Sequence, residues 1–237
     1  SLAASDGSIV FHSPAAGKLH LLVADHAVQG RVIFPGAGYL EMARAAAAAS
    51  ALHGVYFLRP LAVEAPCLLV ECTVSEGRFE VTSFHETDAI EDATTVHCSG
   101  AIADASAWQS IDHASLRAAS RAADVGALYD GFDAVGLQYG PGYRTLVQAW
   151  GGACDALARL RARTTNNTGT RVHPADLDDA LCTSGVMATS GREGETRLPF
   201  AVDGALLQGA PGELWAVRAW HSPIHKPAPV ACLLTAL

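Results

Sequence analysis

The stretch from His26 to Ala49 constrains the chain more than any other. It reads His26-Ala-Val-Gln-Gly30-Arg-Val-Ile-Phe-Pro35-Gly36-Ala-Gly38-Tyr39-Leu-Glu41-Met-Ala-Arg44, then five alanines. Proline suits the start of a helix, where its missing N–H has no partner to lose. Alanine favours helix and lets neighbours approach closely. The pattern predicts a helix from about Pro35 to Ser50, small-faced enough to be wrapped by a curved sheet. Its first N–H groups have no partner in the helix and carry partial positive charge. Gly36 and Gly38 would leave that backbone open to a ligand. His26, nine residues before Pro35, is a candidate base beside an N-terminus able to hold an oxyanion. The competing reading is a turn histidine ahead of an ordinary core helix.

Strand patterns surround this segment. Ile9–Phe11 and Leu19–Val23 suggest two short strands about a turn at Pro14–Gly17. Beyond Val55, the segments Leu61–Val63, Cys67–Val74, Arg78–Phe84 and Thr95–Ile102 are rich in β-branched and apolar residues. Ser75-Glu76-Gly77 reads as a hairpin turn. One helix followed by a meandering sheet fits α+β layers rather than a parallel sheet. Residues 104–124 read as a connection. A helix is expected over Val125–Val135, a break at Gly136–Tyr143, strands at Arg144–Trp150 and Leu157–Arg163, and a loop at Asn166–Gly169. A second Pro-opened helix is expected near 175–187, with final strands near Leu214–Trp220 and Val230–Leu234. The layout divides into 1–104, a connection at 105–124, and 125–237, each outer part carrying a Pro-initiated helix and strands.

Composition narrows the function. With 16 basic against 24 acidic residues the net charge is −8, which argues against nucleic acid or an anionic membrane as main partner. Half the residues are hydrophobic and 17% are charged, which opposes disorder. The cysteines at 67, 72, 98, 154, 182 and 232 form no C-x-x-C, and the remaining histidines lack ligand spacing, so no metal site is expected. Single cysteines without a signal peptide suggest reduced thiols in a cytoplasmic protein. No apolar stretch is long enough to span a bilayer. The serine start suggests a domain cut from something larger.

Four segments occur in order: His26-x3-Gly30-x4-Pro35, Tyr139-Gly140-Pro141, His173-Pro174 through Asp178, and Leu198-Pro199-Phe200. Together they resemble the dehydratase domains of modular polyketide synthases over nearly the whole chain. The resemblance implies a double hotdog: two long central helices, each wrapped by an antiparallel sheet, with the site between the halves. It implies dehydration of a carrier-bound 3-hydroxyacyl thioester to the enoyl thioester. His26 would take the C2 proton, Asp178 would protonate the leaving hydroxyl, and the Gly36 N–H would hold the thioester carbonyl. Tyr139 would orient Asp178 or line the pocket, while Pro35, Leu198, Pro199 and Phe200 would shape it. No dissociable cofactor is implied, because the substrate arrives on the phosphopantetheine arm of an acyl carrier domain. Neighbouring synthase domains are the other expected partners, and members of the family are often homodimers.

Two positions depart from the family pattern. Four residues after the aspartate it usually has Gln or His, which can help hold the substrate hydroxyl. Here the position is Cys182, a weak hydrogen-bonding group. Asp176 stands where an apolar residue is usual. Taken alone, Asp176 and Asp179 read as residues favourable to the helix N-terminus, and His173 as structural. The departures leave two alternatives to simple dehydration. One is a related cyclase that closes an oxygen ring; the other is a non-catalytic domain kept inside a megasynthase.

Overall fold

The computed structural model describes residues 2–3, 8–49, 51–64, 67–85, 94–104, 112–153, 155–162, 169–187, 200–206, 214–219 and 231–236. The chain begins with β1 (Leu2–Ala3), β2 (Ile9–Pro14), α1 (Lys18–Val23), β3 (His26–Val28), β4 (Arg31–Val32) and α2 (Gly36–Ala47). A meander follows: β5 (Ala51–Phe57), β6 (Leu68–Ser75), β7 (Arg78–His85) and β8 (Thr95–Ala103). Then come α3 (His113–Ala119), β9 (Arg121–Ala123), α4 (Val125–Ala134), β10 (Leu137–Tyr139), β11 (Leu146–Gly151) and β12 (Asp155–Leu160). The chain continues with α5 (Pro174–Cys182), β13 (Ala201–Leu206), β14 (Leu214–Ala219) and β15 (Ala231–Ala236).

Two helix-and-sheet layers result, as the α+β expectation requires. The first sheet has the order β1-β2-β6-β7-β8-β5-β13 and the second β15-β14-β12-β11-β9; every recorded pairing is antiparallel. The first core gathers Ala37, Leu40 and Ala43 of α2 with Val55, Val70 and Val81 of the sheet. Burying such apolar surface is the main term favouring the fold. The second core joins Ala175 and Ala180 of α5 to Leu146, Ala158 and Ala216. In both helices alanine faces the sheet, so strand side chains can close around the backbone. Strand β13 pairs with β5 and covers the edge of the first sheet.

The expected hairpin at Ser75–Gly77 is present. Ser75 pairs with Arg78, and Glu76 and Gly77 have φ of 51° and 72°, the left-handed pair that suits a two-residue hairpin turn. Other expectations are corrected. Leu19–Val23 lies in a helix, not a strand: Val23 is buried, Leu19 and Leu22 pack on the first core, and Leu21 is 76% exposed. That is helical spacing, which a run of six residues does not distinguish from a strand. Helix α2 ends at Ala47 rather than Ser50, because Ala48 turns left-handed and its N–H caps the Ala45 and Arg44 carbonyls. Ala62 makes only an isolated bridge, to Ile33. The 104–124 segment contains α3 and β9, the latter paired with β11. Among the described residues, no helix is long and apolar enough to cross a membrane.

Candidate active site

A three-stranded ribbon, β10-β3-β4, joins the two layers. The β3–β4 turn places Gln29 and Gly30 at φ of 50° and 79°, which accounts for glycine at position 30. Across the ribbon, Leu137, Gln138 and Tyr139 pair with Val28, Ala27 and His26. Tyr139 is thereby held opposite His26, their rings 5.6 Å apart and edge to face. Tyr143 flanks the imidazole at 5.5 Å.

The backbone fixes the imidazole. Nδ1 of His26 lies 2.7 Å from the Ile33 carbonyl oxygen. A carbonyl can only accept, so Nδ1 carries the proton and Nε2 keeps its lone pair in the neutral ring. Nε2 faces Oδ2 of Asp178 at 3.8 Å. Both residues are buried, and Oδ2 has no hydrogen-bond partner. Burial pushes the Asp178 carboxyl above the usual carboxylate range, opposed by the His26 imidazole and a hydrogen bond with Tyr139. The Nε2 of His26 and a carboxyl biased toward its protonated form therefore face each other across a gap too wide for a direct bond.

Asp178 comes from α5, where Pro174 occupies the first turn. His173 caps that helix, its Nδ1 accepting the Ala175 N–H at 3.2 Å, so its role here is structural. Cys182, four residues after Asp178, is half-buried, with Sγ 3.2 Å from the Tyr139 hydroxyl. Burial and the neighbouring Asp178 and Cys182 push the Tyr139 phenol up, so it stays a neutral donor. Tyr139, Asp178 and Cys182 thus form one cluster beside His26.

Other expected residues lie differently. Pro35 is the cap before α2, extended at φ −71° and ψ 150°, and Gly36 is the first helical residue; its N–H lies at the helix start, outside the ladder. Gly38 is not open to a ligand: a Cβ there would meet the Phe34 ring at 2.7 Å. Phe200 is 69% exposed and packs edge-on to Tyr56, not among the residues around His26. Leu198 and Pro199 fall outside the described residues. A cavity of about 300 Å³ is lined by Asp25, Asp133, Tyr139 and Arg144 among others. Neither His26 nor Asp178 lines it, so it is not where this pair would act.

Two residues gain roles that sequence reasoning missed. Asp179 does not serve the start of α5, whose first-turn acid is Asp176; it is fully buried. Its Oδ2 accepts from the Thr145 N–H and hydroxyl at 2.5 and 2.7 Å and from the Tyr129 hydroxyl at 2.9 Å. Burial lifts its carboxyl to about 7, against those hydrogen bonds. Asp25, next to His26, accepts the Gly142 N–H at its side chain and the Gly140 N–H at its carbonyl. An Asp before a histidine carries no such signal in sequence, since its partners lie more than a hundred positions away.

Fold and site define a double hotdog with a candidate acid–base pair at the junction of its halves. Residues 1–90 match the family model described as polyketide synthase dehydratase domain, and residues 111–227 the one described as polyketide synthase dehydratase N-terminal domain. Polyketide synthase ThaG of Burkholderia thailandensis is 34% identical over 214 residues, spanning 82% of this chain and 4% of that protein. The dehydratase domain from the terminal module of the rifamycin polyketide synthase superposes with a TM-score of 0.77 at 25% identity, covering 98% of this chain and 86% of that one. The CurK dehydratase, solved as an inactive mutant with a histidine changed to phenylalanine, gives 0.77 at 24%, covering 92% and 83%. The chain belongs to the dehydratase domains of polyketide synthases, which are hydro-lyases. It spans only about one twentieth of the curated relatives' length, and those relatives are multidomain synthases.

Proposed function

We propose that this domain dehydrates a 3-hydroxyacyl thioester to the enoyl thioester, with His26 as base and Asp178 as acid. The observation that carries the reading is the buried pair: Nε2 of His26, free because Nδ1 donates to Ile33, facing an unpartnered Asp178 oxygen. Nε2 takes the C2 proton as the thioester carbonyl gains enolate character. The Gly36 N–H stabilises that developing charge at the start of α2. Asp178, biased toward its protonated form by burial, gives its proton to the C3 hydroxyl, which leaves as water. Tyr139 positions the Asp178 carboxyl through their hydrogen bond. Both proton transfers use side chains, so the reaction needs no dissociable cofactor. An acyl carrier domain presents the substrate on its phosphopantetheine arm. Carrier domains are acidic as a class and this domain carries −8, so tethering within one synthase, at roughly millimolar effective concentration, supplies much of the encounter. The setting we infer is the cytoplasm.

The inactive CurK mutant with histidine replaced supports a histidine as essential in that relative. A second CurK inactive mutant has asparagine in place of an aspartate, matching the pair of side-chain types found here. Turnover of 3-hydroxybutyryl-N-acetylcysteamine, with product mass and NMR, tests the reading. Enoyl product supports it. A cyclic ether from a substrate bearing a distal hydroxyl would favour the cyclase, and no product from any 3-hydroxyacyl thioester would leave a non-catalytic domain.

A further inference from the structure

The α2 face toward α5 carries a buried ion pair that the proposed chemistry does not use. Glu41 and Arg44, one helical turn apart, are 4% and 8% exposed. Arg44 grips the carboxylate with both arms, Nε to Oε2 at 2.7 Å and Nη2 to Oε1 at 2.8 Å. The same carboxylate reaches into the other half of the molecule. Its Oε1 accepts the Arg171 N–H at 2.6 Å and its Oε2 the Val172 N–H at 3.4 Å. Each oxygen thus takes two donors, the full capacity of a carboxylate. Residues 171 and 172 immediately precede His173, the cap of α5.

We propose that Glu41 is a positioning residue for Asp178, its buried carboxylate holding the segment that launches α5 so that the carboxyl meets His26. The inference rests on the acid role assigned to Asp178 above. Stability alone does not account for the pair, since a buried ion pair is often matched or bettered by apolar residues of similar volume. An apolar side chain would fill the space but could not orient two backbone amides. Arg44 fixes the direction of the Glu41 oxygens by a planar fork. Asp178 lies five residues beyond His173 in the same helix, so a tilt or slide at the helix start is carried to it. The 3.8 Å separation of Nε2 and Oδ2 is set across two halves, and Glu41 bonds one half to the other at the approach to the helix carrying the acid.

The test measures kcat, KM and pH profile for wild type, Glu41→Gln and Arg44→Lys on 3-hydroxybutyryl-N-acetylcysteamine, with His26→Ala and Asp178→Asn as references. A misplacement of about 1 Å can cost about 100-fold in rate. Glu41→Gln is expected to lower kcat roughly 10- to 100-fold with KM nearly unchanged. It should also move the alkaline limb of kcat to lower pH, as a loosened α5 lets water reach Asp178. A purely structural role would lower melting temperature without moving that limb. Folded Glu41→Gln with wild-type kcat and pH profile overturns the proposal. If Glu41→Gln does not fold, Arg44→Lys, which keeps the charge but loses the fork, carries the same readout with the same two outcomes. If the two references themselves keep turnover, the acid–base reading falls and this inference falls with it; if they lose turnover and the Glu41 and Arg44 variants do not, this inference alone fails.

Discussion

Gly140 is seated against Asp25: a Cβ built on Gly140 would lie 2.3 Å from Oδ1 and 2.9 Å from the Cβ of Asp25. The carboxylate cannot swing away freely, because its Oδ2 holds the Gly142 N–H and the Asp25 carbonyl holds the Gly140 N–H. Asp25 is the covalent neighbour of His26, and Gly140 that of Tyr139. These hydrogen bonds tie the chain beside the phenol to the chain beside the imidazole, and the space a Cβ would need gives a packing reason for glycine in Tyr139-Gly140-Pro141.

Gly140→Ala is expected to destabilise the protein by about 1–3 kcal/mol, the usual cost of an added carbon in a filled space, and to lower turnover. Urea denaturation and steady-state kinetics measure both. The double variant Asp25→Ala with Gly140→Ala should be less destabilised than the two single changes summed, because the alanine at 140 then meets no carboxylate. Strict additivity would show that the two residues do not oppose each other.

His26→Ala and Asp178→Asn should each cost at least about 100-fold in dehydration, the contribution of a positioned acid or base, while both proteins remain folded. Activity of the parent should also fall as pH rises through the elevated pKa of Asp178, since the acid must be protonated to act. Melting temperature is recorded alongside. Near wild-type turnover in either variant removes that residue from the mechanism.

Asp179 makes stability depend on pH. Its carboxyl moves from an ordinary 3.8 to about 7 on folding, so the folded chain binds a proton that the unfolded chain has released. The stability it contributes is full below about pH 4 and is lost as pH rises to about 7, amounting to as much as about 4 kcal/mol at roughly 1.4 kcal/mol per unit. Asp179→Asn keeps an acceptor for Thr145 and Tyr129 and removes the titration. Between pH 5 and 8, wild type should lose stability relative to Asp179→Asn in urea melts. Parallel pH dependence of the two proteins would mean that Asp179 does not titrate there.

What the sequence reveals follows from the range over which each signal acts. The two Pro-opened helices, the β6–β7 hairpin and the ends of the meander are local, set by residues within a few positions of one another. His26, Asp178 and Tyr139 are legible through the order of four short motifs, not through any one of them, and Cys182 through its place four residues after Asp178. The ribbon of β3 and β10 was not legible, because three-residue strands have no period to detect and their partners are more than a hundred residues apart. The same distance hid Glu41 against Arg171, Asp25 against Gly142 and Asp179 against Thr145. A charged side chain reads as surface until its buried partners are known. Gly38 misled in the other direction: a glycine at a helix start suggests an open backbone, but its space is taken by the neighbouring Phe34.

Cys182 offers the last discriminating change. It lies four residues after Asp178 on α5 and touches the Tyr139 hydroxyl at 3.2 Å, so the thiol borders the carboxyl proposed to protonate the leaving group. A thiol holds a hydroxyl more weakly than an amide does, so under the proposed mechanism the substrate's C3 hydroxyl would depend on Asp178 and Tyr139. If a hydrogen bond is what the thiol lacks, Cys182→Gln should raise turnover of a short 3-hydroxyacyl thioester. A net bond is worth about 0.5–1.5 kcal/mol, or roughly two- to tenfold in rate. If instead the small thiol makes room for a bulky or cyclising chain, the same change should slow a long substrate and leave the short one unaffected. Kinetics of both proteins on a four-carbon and a long-chain thioester separate the two effects. Unaltered rates on both substrates would show that Cys182 only fills space beside Tyr139, and that its departure from Gln or His has no bearing on the reaction.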